Sequence, residues 1–188
     1  MPFSAILDAC VLYPSALRDT LLRLAEAGTY QPLWSERILA EVQKALIHKR
    51  VPEQNVARML SLVECAFPEA MVTGWESLES SMTNHPKDRH VLAAAVRGHA
   101  DAIVTFNLRD FPGAACEPWD VEPLDPDTFL LHELESAPAV ILNVVKDQAA
   151  ATGTPPYPAM TLEDVLSSLE KCRVPRFVAE VRSQLHRG

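Results

Sequence analysis

The chain has 188 residues, of which 48% are hydrophobic and 22% are charged, and this composition excludes an intrinsically disordered chain. Its apolar runs are much shorter than the roughly 20 residues that cross a bilayer, so we expect no membrane span. No basic flank precedes an extended apolar segment at the N-terminus, so we expect no secretory signal and a cytoplasmic protein. The net charge of −8 disfavours nucleic acid as a partner, but residues 37–58 are locally basic.

Hydrophobic periodicity predicts that strands and helices alternate along the first 135 residues. Phe3–Leu7 is predicted to be a buried strand, and Ser35 is predicted to cap a helix that runs to about Lys49. Ala102–Phe106 is apolar and contains β-branched residues, as is typical of an interior parallel strand. The other predicted elements are a helix over Ser15–Ala27, an extended piece at Leu33-Trp34, a helix over Glu53–Phe67, a short strand over Ala70–Val72, a loop over 76–87, a helix over Asp88–Arg97 and an edge strand at Val121.

This alternation favours an α/β fold in which helices cover both faces of a parallel sheet. We expect this domain to span residues 1–135 and a C-terminal helical extension to span 136–188. Helices are predicted to begin near Asp127, after Pro138 and after Pro175. Another is predicted to begin at Thr161, which forms a capping box with Asp164 in place of the usual Glu or Gln.

Four acidic residues lie where such a fold would deliver them to one place. Asp8 follows the first strand directly, and Asp110 follows the Ala102–Phe106 strand by a few residues, so both belong to the carboxyl edge of the sheet. Glu41 borders the apolar stripe of its predicted helix, and Asp88 begins another helix. Four converging carboxylates need a compensating cation, and Mg²⁺ and Mn²⁺ prefer such oxygen ligands.

Each acid also has an ordinary structural interpretation. Asp8 and Asp110 suit turns that follow strands. Glu41 suits a boundary position paired with a basic neighbour, and Asp88 suits an N-cap or a first helical turn. Their joint placement favours the metal site, because metal-assisted chemistry on phosphodiesters uses several carboxylates.

Two other side chains lie near these acids in the sequence. His90 is expected to be solvated or part of a helix cap rather than a metal ligand. Cys10 is close enough to Asp8 for a nucleophilic role to be considered, but no His lies near it in the sequence, so a buried thiol is favoured. The four cysteines lie far apart without a zinc pattern, and buried free thiols are expected at Cys10, Cys65, Cys116 and Cys172.

These residues resemble the PIN-domain family, and within it the VapC-like toxin nucleases of type II toxin–antitoxin systems. The resemblance spans about residues 3–130, and its last two segments are together fairly specific. The matching segments are Leu7-Asp8, Ser35-x-x-Ile38-Leu39-x-Glu41-Val42, Asp88-Arg89-His90-Val91-Leu92-Ala93-Ala94-Ala95 and Thr105-x-Asn107-x-x-Asp110-Phe111.

The resemblance implies a three-layer α/β/α domain with a central parallel sheet and an endoribonuclease that uses Mg²⁺ or Mn²⁺ to cut RNA, with tRNA or rRNA expected. Thr105 and Asn107 match polar positions that support the site, the second of which is often Asp in relatives. The resemblance also implies a homodimer and a small antitoxin whose C-terminal segment covers the acidic pocket, often with an inserted Arg. The matches to the catalytic and metal-binding quartet are Asp8, Glu41, Asp88 and Asp110.

Other interpretations stay open at this point. They are a nucleic-acid-binding module with the same fold and a nuclease that acts on DNA. A phosphatase of haloacid-dehalogenase type needs Asp-x-Asp after the first strand, which Asp8-Ala9-Cys10 lacks. The C-terminal helices are expected to bind substrate or antitoxin. Phosphate contacts, or alternatively a plain solvated surface, are predicted for Arg37, Lys44, Lys49, Arg50, Arg89 and Arg109.

Overall fold

The computed structural model describes residues 3–153 and 158–187. The chain forms two units, of which the first comprises Met1–Tyr13 and Tyr30–Asp125 and the second Pro14–Thr29 and Pro126–Gly188. In chain order the elements are β1 Ser4–Leu7, α1 Ala9–Leu12, α2 Ser15–Glu26, β2 Gln31–Leu33, α3 Glu36–His48, α4 Glu53–Ala66, α5 Glu76–Glu79, α6 Arg89–Gly98, β3 Ala102–Val104, α7 Gly113–Cys116, β4 Glu122–Leu124, α8 Pro126–Ser136, α9 Pro138–Ala150, α10 Leu162–Lys171 and α11 Pro175–Arg187.

A parallel four-stranded sheet lies in the first unit, with the strand order β2-β1-β3-β4. β1 pairs with β2 and β3, and β3 also pairs with β4, all in parallel. Every residue of β3, and Ala5 to Leu7 of β1, is fully buried, as expected for interior strands whose two faces are both covered. Trp34 forms a single parallel bridge with Met71, where a short strand was predicted. The predicted α/β class with a central parallel sheet is confirmed.

Helix α6 packs on β1 and β3 with a buried face that includes Ala93, Ala94 and Ala95. Its C-terminal end approaches the β2 side of the sheet so closely that a Cβ on Gly98 would lie 2.9 Å from Val72 Cγ2. Since real Cβ atoms do not come this near to a neighbour, glycine is the residue that fits there. The next residue, His99, has φ 52° and ends the helix in the left-handed conformation.

The second unit consists of helices, in which α2 packs on α9 and α10, and α11 packs on α8 and α10. Asp127, near the start of α8, accepts backbone hydrogen bonds from Arg176 at 3.2 Å and Phe177 at 2.8 Å, and so caps the first turn of α11. Thr161 and Asp164 form the predicted capping box of α10. Buried leucines of α2 and buried aliphatic and aromatic residues of the other helices make up the core of this unit.

Most predicted elements occur within a few residues of their predicted bounds. The exception is the predicted loop over 76–87, which contains α5 and begins a 3₁₀ turn over Pro86–Asp88. The domain boundary near residue 135 stays a prediction, although α8 groups with the second unit in the structure. Among the described residues no single helix is long and apolar enough to cross a membrane, and only α8 and α9 taken together, bent by 119°, have the length and composition of a span.

Candidate metal centre

Asp8 lies at the carboxyl end of β1, and its side chain is almost fully buried. Its backbone N–H donates to Val104 O at 3.1 Å, which fixes it beside the end of β3. Its Oδ2 accepts hydrogen bonds from Thr105 Oγ1 at 2.6 Å and from Cys10 Sγ at 3.1 Å. Because both donors use Oδ2, the other carboxylate oxygen remains available to a ligand.

Thr105 connects Asp8 to the turn that follows β3. The Thr105 side chain is fully buried, and its Oγ1 accepts a hydrogen bond from the Asn107 N–H at 3.0 Å. The same hydroxyl therefore orients the Asp8 carboxylate and holds the start of the segment that leads to Asp110. This geometry suits the supporting position predicted for Thr105, whereas Asn107 takes part through its backbone and is exposed.

Cys10 is a thiol held in its protonated form. Burial, followed by the negative charge of Asp8, raises the pKa of the Cys10 thiol to about 12. The thiolate is the nucleophilic form of cysteine, so this environment disfavours a nucleophilic role. All four cysteines are free thiols, as predicted, but the predicted burial is wrong for Cys65, which is exposed.

Asp88 and Asp110 meet His85 in one cluster whose ligand atoms all lie within 4.8 Å of one another. Two backbone hydrogen bonds hold these residues together, from His85 N–H to Asp110 O at 3.0 Å and from Asp88 N–H to His85 O at 2.9 Å. Asp88 occupies the N-cap position of α6, but its side chain makes no capping hydrogen bond. Its carboxylate is therefore not used by the helix and is available to the cluster.

The electrostatics of Asp88 indicate a surplus of negative charge at this place. Burial is the largest cause that raises the pKa of the Asp88 carboxyl, followed by the charges of Asp8 and Asp110. His90 and His85 act in the opposite direction and offset this only in part, since the pKa of Asp88 remains raised. The carboxylates of Asp8 and Asp110 thus lie close enough to Asp88 to oppose its ionisation.

Glu41, on α3, lies outside the His85–Asp88–Asp110 cluster and approaches it through His90. Its Oε1 lies 3.1 Å from His90 Nε2 and 4.0 Å from Arg37 Nε. His90 is fully buried on α6, so the expectation of a solvated or capping His90 is wrong. The reason is that α6 lies on the sheet from its first turn, which turns His90 inward together with Val91.

The donor set fits a hard divalent cation, because carboxylate oxygens are the ligands that Mg²⁺ and Mn²⁺ prefer. A second observation points the same way. Asn84, which is buried and precedes His85 in the sequence, has side-chain amide atoms without a hydrogen-bond partner among the described residues. Orphaned buried polar atoms mark places where an ordered water or an ion belongs.

Two of the six predicted basic residues contact other groups of the protein. Arg37 is engaged by Glu79, at 2.9 Å between Nη1 and Oε1, and Arg89 Nε donates to Asn84 O at 3.4 Å. Contact with RNA stays a prediction for all six. Those whose side chains are exposed, besides Arg37, are Lys44, Lys49, Arg50 and Arg109.

Sequence reasoning missed His85 and misjudged His90. The signal for His85 was present, since it precedes Asp88 by three residues and is followed by Pro86, which favours a tight turn. Its approach to Asp110 across 25 residues, by contrast, has no signature in the local sequence. The partner of His90, Glu41, is equally distant along the chain.

Comparison with known proteins is consistent with this geometry. A family model described as PIN domain matches residues 4–109, and one described as VapC50 C-terminal domain matches residues 126–183. A protein of Mycobacterium tuberculosis (strain ATCC 25618 / H37Rv) named "Putative ribonuclease VapC50" is 44% identical over 145 residues, which cover 73% of this chain and 81% of that protein. No solved structure matches the chain. The chain thus belongs to the PIN-domain family, as a VapC-like member with a C-terminal extension.

Proposed function

We propose that this protein is the toxin of a type II toxin–antitoxin system and cleaves RNA as a metal-dependent endoribonuclease. The observation that carries this proposal is that Asp88 lies near both Asp8 and Asp110, whose charges oppose its ionisation. Asp8 is itself buried. The similarity to a protein named as a ribonuclease supports RNA as the substrate.

We assign Asp8, Asp88 and Asp110 to hold Mg²⁺ or Mn²⁺. When bound, the cation supplies Lewis-acid activation of water and offsets negative charge on the phosphodiester. Glu41, half-exposed and outside the cluster, orients the attacking water and receives its proton. The water oxygen forms the new bond to phosphorus, the opposite P–O bond breaks in line, and the leaving oxygen takes up a proton from solvent water. Thr105 keeps the Asp8 carboxylate in place through its 2.6 Å hydrogen bond.

A cavity of about 450 Å³ beside Glu41 gives room for a nucleotide of the substrate. Cys10 and Tyr13 contribute to its lining, and Lys49 lies at its edge. In proteins that bind single-stranded nucleic acid, bases stack on aromatic rings and phosphates pair with positively charged side chains such as lysine. We therefore place one nucleoside next to the scissile phosphate in this cavity.

The remaining parts of the proposal follow from membership of the VapC-like group. We propose a homodimer in the cytoplasm that a cognate antitoxin inhibits by covering the acidic cluster. A positively charged antitoxin side chain would satisfy the surplus negative charge around Asp88 in the way that the cation does.

The test is cleavage of a mixed tRNA and rRNA pool by the purified full-length protein with Mg²⁺ or Mn²⁺ and with EDTA. Asp8→Asn keeps the shape of the side chain but removes its charge, so discrete products are expected from the wild type and not from this variant. Asp120→Asn is the matched control, because Asp120 is exposed with φ 54°, a conformation that Asn adopts readily. Metal-independent cleavage, or cleavage of single-stranded DNA but not of RNA, would overturn the proposal.

A further inference from the structure

The His85 side chain caps the 3₁₀ turn over Pro86–Asp88 and also lies close to the carboxylates of Asp88 and Asp110. Its Nδ1 lies 3.5 Å from Asp88 Oδ2 and belongs to the group of ligand atoms within 4.8 Å that includes Asp110. Donor atoms about 2.1 Å from one octahedral ion lie about 3 Å apart when adjacent and about 4.2 Å apart when opposite. The observed spacing therefore lies close to what one ion requires.

Nδ1 is the ring nitrogen of His85 that faces Asp88. It lies 3.5 Å from Asp88 Oδ2 and is placed to accept a hydrogen bond from the Lys87 N–H at 3.4 Å. An imidazole binds a metal through a nitrogen that carries no proton, and Nδ1 is the nitrogen in position to do so.

The backbone fixes His85 in this position before any ion binds. Its N–H donates to Asp110 O and its C=O accepts from the Asp88 N–H, so both acids are hydrogen-bonded to the residue that offers the nitrogen. Pro86 follows directly and restricts the turn between His85 and Asp88. The arrangement is therefore preorganised for binding, which lowers the entropic cost of recruiting His85.

We propose that His85 supplies an imidazole nitrogen to the divalent metal held by Asp88 and Asp110 and thereby makes the centre prefer Mn²⁺ to Mg²⁺. An imidazole nitrogen disfavours Mg²⁺ more than Mn²⁺, because Mg²⁺ demands a near-ideal shell of oxygen ligands whereas Mn²⁺ is a transition-metal ion that also accepts nitrogen. This inference rests on the metal centre of the proposed function, but it adds a ligand and a metal preference that the four acids alone do not give.

The experiment measures metal binding to the full-length protein without RNA. Mn²⁺ is titrated and followed by the electron paramagnetic resonance signal of the free ion, and Mg²⁺ is then added as a competitor. Pulsed spectra of the bound Mn²⁺ are recorded on protein with ¹⁵N-labelled histidine. The variants are His85→Ala, His85→Asn and, as the matched control, His186→Ala at an exposed position of α11.

We expect a histidine nitrogen coupling in the wild type and in His186→Ala, and its loss in His85→Ala together with a Mn²⁺ affinity about 10-fold lower. His85→Asn keeps a side chain that can cap the 3₁₀ turn but offers oxygen, so it is expected to lose the coupling and most of the preference for Mn²⁺. Thermal unfolding of each variant establishes that it is folded, which is expected since His85 is exposed.

The outcomes separate the two proposals. If the wild type binds Mn²⁺ without a nitrogen coupling, or if the coupling persists in His85→Ala, His85 is not a ligand and only this inference fails. If neither Mn²⁺ nor Mg²⁺ binds to the folded wild type, the metal centre itself is absent and the proposed function fails with it.

Discussion

His90 Nε2 lies 3.1 Å from Glu41 Oε1, and this contact is the link between α3 and the start of α6 near the acidic cluster. The imidazole is fully buried, whereas the glutamate is half-exposed. His90 also reduces the raised pKa of Asp88 through its charge. His90 therefore contacts Glu41, which orients water in our proposal, and also influences Asp88, which holds the metal in our proposal.

We expect His90→Leu to lower the rate of RNA cleavage by about 10–100-fold, the usual effect of removing a residue that orients a metal site. Its melting temperature should change little, because leucine removes the buried ring nitrogens together with their 3.1 Å contact with Glu41. His90→Gln, which keeps a polar group, should retain more activity than His90→Leu. Equal activity of the two variants would show that the contact with Glu41 does not matter.

Thr105→Val tests the anchoring of Asp8. The variant has nearly the same shape but loses the hydroxyl that donates to Asp8 and accepts from the Asn107 N–H. We expect a loss of about 1–3 kcal/mol in the free energy of unfolding, measured with urea, because buried groups lose hydrogen-bond partners. Cleavage activity should fall as well.

Thr105→Ser is the matched control for this variant, since it restores the hydroxyl. It should recover most of the activity, with a small loss of stability from the missing methyl group. Full activity of Thr105→Val would contradict a supporting role for Thr105.

Cys10 is expected to resist alkylation. With a thiol pKa of about 12, only about one molecule in ten thousand carries the thiolate at pH 8. Iodoacetamide at this pH should modify the exposed Cys65 first and leave Cys10 intact, as peptide mass spectrometry would measure. Activity should survive this treatment, and a Cys65→Ser variant identifies the fast site. Rapid modification of Cys10 with loss of cleavage would revive the nucleophile hypothesis.

Glu133 is expected to make the stability of the second unit depend on pH. Burial is the largest cause that raises the pKa of the Glu133 carboxyl, while a hydrogen bond from Thr29 and the charge of His132 lower it in part. Since the folded pKa lies above the unfolded one, the protonated form stabilises the folded state. This stabilisation is complete below the ordinary pKa of glutamate and is lost as the pH rises through the raised value.

We therefore expect Glu133→Gln to be more stable than the wild type at neutral pH and to match it more closely at acidic pH. Thermal unfolding from pH 4 to pH 8 measures this difference. Glu135→Gln, two residues further along α8 at an exposed position, is the matched control and should follow the wild type. A pH-independent gap between Glu133→Gln and the wild type would contradict the raised pKa.

Asp127→Ala should destabilise the second unit by about 1–2 kcal/mol, the usual effect of losing a helix cap. The variant leaves the N–H groups of Arg176 and Phe177 without their Asp127 acceptor and removes the 2.9 Å hydrogen bond between Arg176 Nε and Asp127. Urea unfolding measures the change, and Asp127→Asn should lose less because it keeps one oxygen acceptor. Identical unfolding of wild type and Asp127→Ala would show that α11 does not depend on this cap.

The parts of the fold that depend on local sequence could be predicted. β3 and the capping box of Thr161 and Asp164 follow from hydrophobicity and from side-chain chemistry within a few residues. Asp8 and Asp110 could be assigned to one edge of the sheet because strand order does not change which end of a parallel strand they follow.

The parts that depend on distant contacts could not be predicted. α2 belongs to the second unit, where Thr20 Oγ1 donates to Gln148 Oε1 at 2.7 Å. These two residues are 128 positions apart, so no local sequence pattern predicts their contact. His90 follows Asp88 and Arg89, so its surroundings in sequence look solvated. Its burial is decided by how α6 lies on the sheet.

A substitution at Gly98, remote from the acidic cluster, is expected to inactivate this protein. Asp88 precedes α6 and Gly98 closes it, about 15 Å apart at 1.5 Å per residue. Because a Cβ there would lie 2.9 Å from Val72 Cγ2, a larger residue must displace either Val72 or the helix, and a displaced helix moves the acid at its other end. Such an allele would keep every acid of the motif intact. An observer who judges activity in a set of related genes by those acids alone would count an inactivated copy as a working one.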